Sequence, residues 1–228
     1  MRPTCDNLNT INFGYKVKGT IVAYGIYIAS VTILFLLLNL IDSLIIEHFF
    51  HHSIVEQMKL NKQNVQERFG QYTFLIIVLI GPFFEEILFR LPLKLEKLGI
   101  ALSTSIIIYR LLVERFFAFE FNNPYSYGNV AIAIIAFLLV LKFFPDSWLI
   151  MIKRKYSYYF YFVAIAFALA HVSNFAPYNS SVLLFYPLFT LPQFLMGLSI
   201  GFVRMEYGFF YGVALHSLIN LPSVLFST

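Results

Sequence analysis

"GTIVAYGIYIASVTILFLLLNLIDSLII" (residues 19–46) carries a single charged side chain, Asp42, in an otherwise apolar run. Apolar runs of about 18 or more residues read as transmembrane helices. This one is too long for the apolar region of a signal peptide, and no small-residue cleavage site follows it. The expectation is therefore a retained span, with the mature chain starting near Met1. The composition outside the run points the same way. Of 228 residues, 59% are hydrophobic and 12% charged, against roughly 25% charged in a soluble domain. Mean hydropathy is +0.75. A single cysteine, Cys5, excludes an internal disulfide. The net charge of +4 matters through where its residues sit, and it does not imply nucleic acid.

Seven apolar runs are predicted as spans, roughly 19–46, 71–93, 98–118, 127–144, 156–176, 181–204 and 207–226. The fold class is thus all-α, a multi-pass transmembrane helical bundle of about seven spans. No Ser/Gly-rich linker or tandem repeat interrupts it, so 1–228 reads as a single domain. The longest polar connection is 47–70. Within it Ser53 and Glu56 have capping-box spacing ahead of "IVEQMKLNKQNVQERF", which predicts a short helix at the membrane interface. Val55, Met58 and Val65 are expected to dip toward lipid. Alternate loops collect Arg2, Lys16, Lys18, Lys94, Lys97, Lys142, Lys153, Arg154, Lys155 and Arg204 on one side. The other side collects Lys59, Lys62 and Arg68. The positive-inside rule then places the amino terminus in the cytoplasm and the carboxyl terminus outside. Gly197 with Gly201, and Gly208 with Gly212, have the small-xxx-small spacing that lets helices approach closely in lipid.

The second informative stretch is "GPFFEEILFR" (residues 81–90), which sets three charges in an apolar run. A charged side chain near the bilayer centre costs about 2.5–3.5 kcal/mol on insertion scales, so these three are expected to be paired or watered. Residues four apart share a helix face. Arg90 is therefore expected to neutralise and hold Glu86, leaving Glu85 to meet a water or a group on another span. "FALAHVSNF" places His171 and Asn174 near the end of the fifth run, and "GVALHSLIN" places His216 and Asn220 on one face of the seventh. A lone histidine in an apolar helix is more often a packing residue than a catalyst. Two of them alongside a diglutamate shift the balance to chemistry. A carboxylate paired with imidazole in a wet cavity can deprotonate water for attack on a carbonyl. A further His/Asn pair supplies donors to the oxyanion that develops. His48, His51 and His52, crowded into "EHFFHHS", have spacing that suits a metal, but such clusters are usually inert. Arg110 and Glu114, with Arg115 adjacent, read as a structural ion pair.

Three of these segments also resemble a known family. Glu85-Glu86-Ile87-Leu88-Phe89-Arg90 fits EExxxR, Phe167-Ala168-Leu169-Ala170-His171 fits FxxxH, and His216-Ser217-Leu218-Ile219-Asn220 fits HxxxN. In that order and setting they are similar to the CPBP intramembrane endopeptidases, also called type II CAAX proteases or the Abi family. The resemblance covers about 71–95 and 157–221, with 98–155 as an inserted hairpin. It implies hydrolysis of a peptide bond in a membrane-associated peptide or protein, which is lipidated in the CAAX branch. Other branches serve peptide maturation or self-immunity against bacteriocins. By resemblance, Glu85 acts with His171 on water, His216 and Asn220 steady the oxyanion, and Glu86 with Arg90 supports the site. A second scheme has zinc held by Glu86, His171 and His216, although no HExxH is present; the metal-free scheme is preferred. The reading from a different class is a non-hydrolytic transporter or a peptide-binding immunity protein. Proton-coupled transporters also use intramembrane carboxylates, but often with inverted repeats, and none is found here.

Overall fold

The structure, a computed structural model, describes residues 12–113 and 123–225. Every regular element in it is helical. In order these are α1 (Phe13–Ile41), α2 (Glu47–Phe50), α3 (Ile54–Phe69), α4 (Gly81–Phe89), α5 (Lys97–Leu112), α6 (Pro124–Phe143), α7 (Asp146–Arg154), α8 (Tyr156–Ala170), α9 (Tyr186–Phe189), α10 (Leu191–Tyr207) and α11 (Phe209–Leu225). Two π-helical segments, Asp42–Ile46 and Leu75–Ile80, join α1 to α2 and lead into α4. Arg2, Cys5, Glu114 and Arg115 lie outside the described residues.

Four helical stretches are long and apolar enough to cross a membrane: Phe13–Phe50, Pro124–Phe143, Tyr156–Phe175 and Ser180–Tyr207. About 20 residues suffice for a span. Phe209–Leu225 is apolar but shorter, and α5 has 16 residues. The predicted 71–93 run is broken into a π segment, the nine-residue α4 and a 3-10 turn at Leu91–Lys94. Large apolar side chains such as Leu36, Leu37, Ile134, Leu138 and Phe162 are exposed on these helices. In water such a surface would aggregate; in lipid it is the solvent-matched face. The chain is a helical membrane protein.

The chain divides into two compact units, each described by itself. The smaller holds Phe84–Tyr159; the larger holds the described residues up to Phe83 and from Phe160 onward. In the smaller unit α5 and α6 pack along one another. Ser105 Oγ donates to the Ala133 carbonyl across that pair at 2.9 Å. Gly99 sits against the Leu91 carbonyl, where a Cβ would lie 2.8 Å from the oxygen, so only glycine fits. Asn123 caps α6 by accepting from the Tyr125 N–H, with Pro124 preset for the first turn. Arg110, expected to pair with Glu114, donates from Nη1 to the Val113 carbonyl at 2.9 Å.

In the larger unit α1, α10 and α11 pack on one another, and the 75–80 segment packs on α11. Gly19 lies where the Tyr207 ring fills the space a Cβ would need. Gly208 turns α10 into α11 at φ +114°, a conformation that disfavours any side chain. Arg204, expected in a loop, is instead buried inside α10, its guanidinium 5.0 Å from the Phe209 ring.

Helix α3 begins as its capping box requires, with Ser53 Oγ accepting from the Glu56 N–H at 3.1 Å. A second cap comes from buried Asp42, which accepts from the Ile54 N–H at 2.9 Å, the Val55 N–H and the Ser53 hydroxyl. Val55 and Met58, expected to dip toward lipid, are half-buried. Both pack against a buried cluster containing Leu38, Ile46, Ile54, Phe175, Tyr186 and Phe189. Gln57 and Asn61 of the same helix bond to protein carbonyls at 174–177.

Candidate active site

In the smaller unit the three charges of the 81–90 stretch lie at the end of α4. Glu86 is 0% exposed and Arg90 1% exposed. Arg90 Nε stands 3.5 Å from Glu86 Oε1, the i,i+4 pair its spacing predicts. Removing either partner alone would leave a buried charge, which typically costs 3–5 kcal/mol. The guanidinium carbon also lies 5.7 Å from the Phe89 ring centroid. Arg90 ends the helix, and Pro92 in the following turn prevents its continuation. Glu85, one residue along and therefore about 100° around the helix, is half-buried.

In the larger unit the FxxxH and HxxxN segments meet on one ring. Phe167 is fully buried. His171 lies edge-on to it with centroids 4.5 Å apart, and His216, from α11, lies edge-on at 5.9 Å. His216 is itself 0% exposed. His171 opens the 3-10 turn after α8, and its Nδ1 is 2.8 Å from the Phe167 carbonyl. That carbonyl belongs to the last turn of α8. A carbonyl only accepts, so in this bond Nδ1 is the donor. Gly197 of α10 makes this arrangement possible, since a Cβ there would lie 3.3 Å from Phe167 Cδ1 and 3.4 Å from the Ala164 backbone.

Asn220 has a further role that its motif does not disclose. The Gly81 N–H bonds to the Ile76 carbonyl, five residues back. The next donor in that π register would be residue 82, which is proline and has no N–H. The Ile77 carbonyl thus has no main-chain donor, and Asn220 Nδ2 bonds to it at 3.0 Å. One amide hydrogen of Asn220 is committed to the backbone ahead of α4.

Sequence reading missed the residues that hold His171's segment in place. Gln57 Nε2 donates to the Phe175 and Pro177 carbonyls, the latter at 2.7 Å. Its Oε1 accepts from the Tyr186 hydroxyl and lies 3.0 Å from His52 Nε2. Asn61 Nδ2 donates to the Asn174 and Ala176 carbonyls at 2.8 and 3.0 Å. Two amides four apart on one helix face, in a chain this apolar, are the signal that was present. His52 is thereby engaged in a structural bond. His51 takes a left-handed conformation at the end of α2, φ 51°, and His48 stacks edge-on to Phe49. Among the described residues no three His, Cys, Asp or Glu side chains form a group able to hold a metal ion.

Compared with protein-family models, curated proteins and solved structures, the chain gives no significant match. Its chemistry is read from its own residues.

Proposed function

We propose that the chain is an intramembrane endopeptidase of the CPBP type, with about seven spans, a cytoplasmic amino terminus and an external carboxyl terminus. The observation that carries this reading is the meeting of His171 and His216 on the buried Phe167 ring, with His171 Nδ1 donating to the Phe167 carbonyl. In this reading Glu85 supplies the carboxylate that works with those imidazoles on water.

The reaction follows from these groups. Glu85, assisted by His171 Nε2, takes a proton from water as the water oxygen bonds to the scissile carbonyl carbon. The oxyanion that forms is held by His216 and by the second Asn220 N–H. The proton held at Glu85 and His171 then passes to the amide nitrogen as the C–N bond breaks, releasing acid and amine. Glu86 and Arg90, as a neutral buried pair, fix the face on which Glu85 stands. The substrate is a membrane-associated peptide or protein.

The test is proteolysis in reconstituted membranes, using a panel of lipidated and unlipidated peptides. Glu85→Gln and His171→Ala should each lower cleavage by about 10²–10⁴-fold, the usual contribution of a general base, while still inserting and melting as wild type. Full activity in Glu85→Gln would exclude the proposed chemistry. Activity should also survive exhaustive chelation. Loss restored by zinc would replace the scheme with one in which Glu86, His171 and His216 hold the ion.

A further inference from the structure

Away from the histidines, the larger unit contains a cavity of about 280 Å³ lined by Phe35, Leu38 and Asn39 of α1, by Val55, Met58, Lys59 and Lys62 of α3, and by Phe189. Its walls are apolar except at one edge. Asn39 already donates its amide to the Phe35 carbonyl at 2.7 Å. Lys59 and Lys62 are three residues apart, so they share a helix face, and both are exposed. Neither lysine forms an ion pair among the described residues. The cavity therefore presents an oily hollow with two uncompensated ammonium groups at its rim.

Placement in a membrane decides what fits. The α1 wall belongs to an apolar stretch long enough to span. Lysine side chains next to such a stretch reach for the headgroup layer, because charge is costly in hydrocarbon. An occupant must then be apolar where α1 and Phe189 face it and anionic where the lysines stand.

We infer that this hollow is a binding site for an anionic phospholipid of the surrounding bilayer, its acyl chain against Phe35, Leu38 and Phe189 and its phosphate between Lys59 and Lys62. Partial desolvation already pulls the Lys62 ammonium below its ordinary pKa, and a phosphate alongside would offset that cost. The site is independent of the peptidase chemistry.

The test uses the full chain purified in detergent and titrated with dioctanoyl phosphatidylglycerol, dioctanoyl phosphatidylcholine or glycerol 3-phosphate. Binding is read by native mass spectrometry and by thermal unfolding. One phosphatidylglycerol should bind saturably, at least about tenfold tighter than phosphatidylcholine, given the attraction of each lysine for anionic lipid. Glycerol 3-phosphate should produce no shift. Lys59→Gln with Lys62→Gln should weaken phosphatidylglycerol binding roughly thirtyfold, with melting in phosphatidylcholine unchanged. Met58→Trp, which fills the hollow and keeps both lysines, should abolish it. Equal binding of the two lipids by wild-type protein overturns the proposal and requires no variant. An equal shift with glycerol 3-phosphate shows a free-anion site and overturns the lipid assignment.

Discussion

A proline at 82 leaves the Ile77 carbonyl with no main-chain donor, and where water is scarce only a side chain can supply one. Asn220 does so. Asn220→Ala should therefore destabilise the protein by about 1–3 kcal/mol, the cost of a buried acceptor left unmet. Pro82→Ala returns an N–H to the register, so the two substitutions should couple by about 1 kcal/mol in a double-mutant cycle measured by denaturation in detergent. Strictly additive costs would disprove the pairing. The cycle also separates structure from chemistry. If Asn220 steadies the oxyanion, the double variant regains stability but stays about 10²–10³-fold slower in cleavage. Gly197→Val addresses the neighbouring ring. Its branched side chain meets Phe167 and Ala164, and overpacking of this kind costs about 1–3 kcal/mol. Melting should fall accordingly, and cleavage should fall further as Phe167 shifts between the two histidines. A variant with wild-type melting would show that α8 and α10 are not held so closely.

Among the elements, α3 is the one whose role changes most between sequence and structure. Its extent and first cap were legible, since Ser53 and Glu56 stand in capping-box spacing and the helix runs Ile54–Phe69. The protein partners of its apolar stripe were not, because such a stripe looks the same whether lipid or protein covers it. Its polar contacts join Gln57 and Asn61 to carbonyls more than a hundred positions away, beyond the reach of any local pattern. The π segments were hidden for a related reason: a run such as "LIIVLI" gives no signal for five-residue rather than four-residue bonding. We expect Gln57→Leu with Asn61→Leu to raise hydrogen exchange at 171–177 while α3, still capped, stays protected. Asp42→Ala should do the converse, fraying the first turn of α3 and costing about 1–2 kcal/mol. Unchanged exchange at 171–177 in the double variant would remove α3 as the clamp on His171's segment.

For the whole molecule, composition and run length made the membrane class legible, and four stretches meet the length and apolarity of a span. The remaining runs form shorter helices, with Pro92 following α4 and with 16 and 17 residues in α5 and α11. Of the candidate site, the Glu86–Arg90 pair was legible because an ion pair at i,i+4 is a local matter. The sharing of the Phe167 ring by two histidines was not, since it depends on where α8 and α11 meet. The proposed chemistry needs Glu85 and His171 to act on the same water, and cysteine crosslinking in native membranes tests this without knowledge of the substrate. On a Cys5→Ser background, Glu85→Cys with His171→Cys should be joined by a short thiol crosslinker. Phe84→Cys with His171→Cys, turned about 100° around the helix, should not. Crosslinking at 84 with none at 85 would contradict the account.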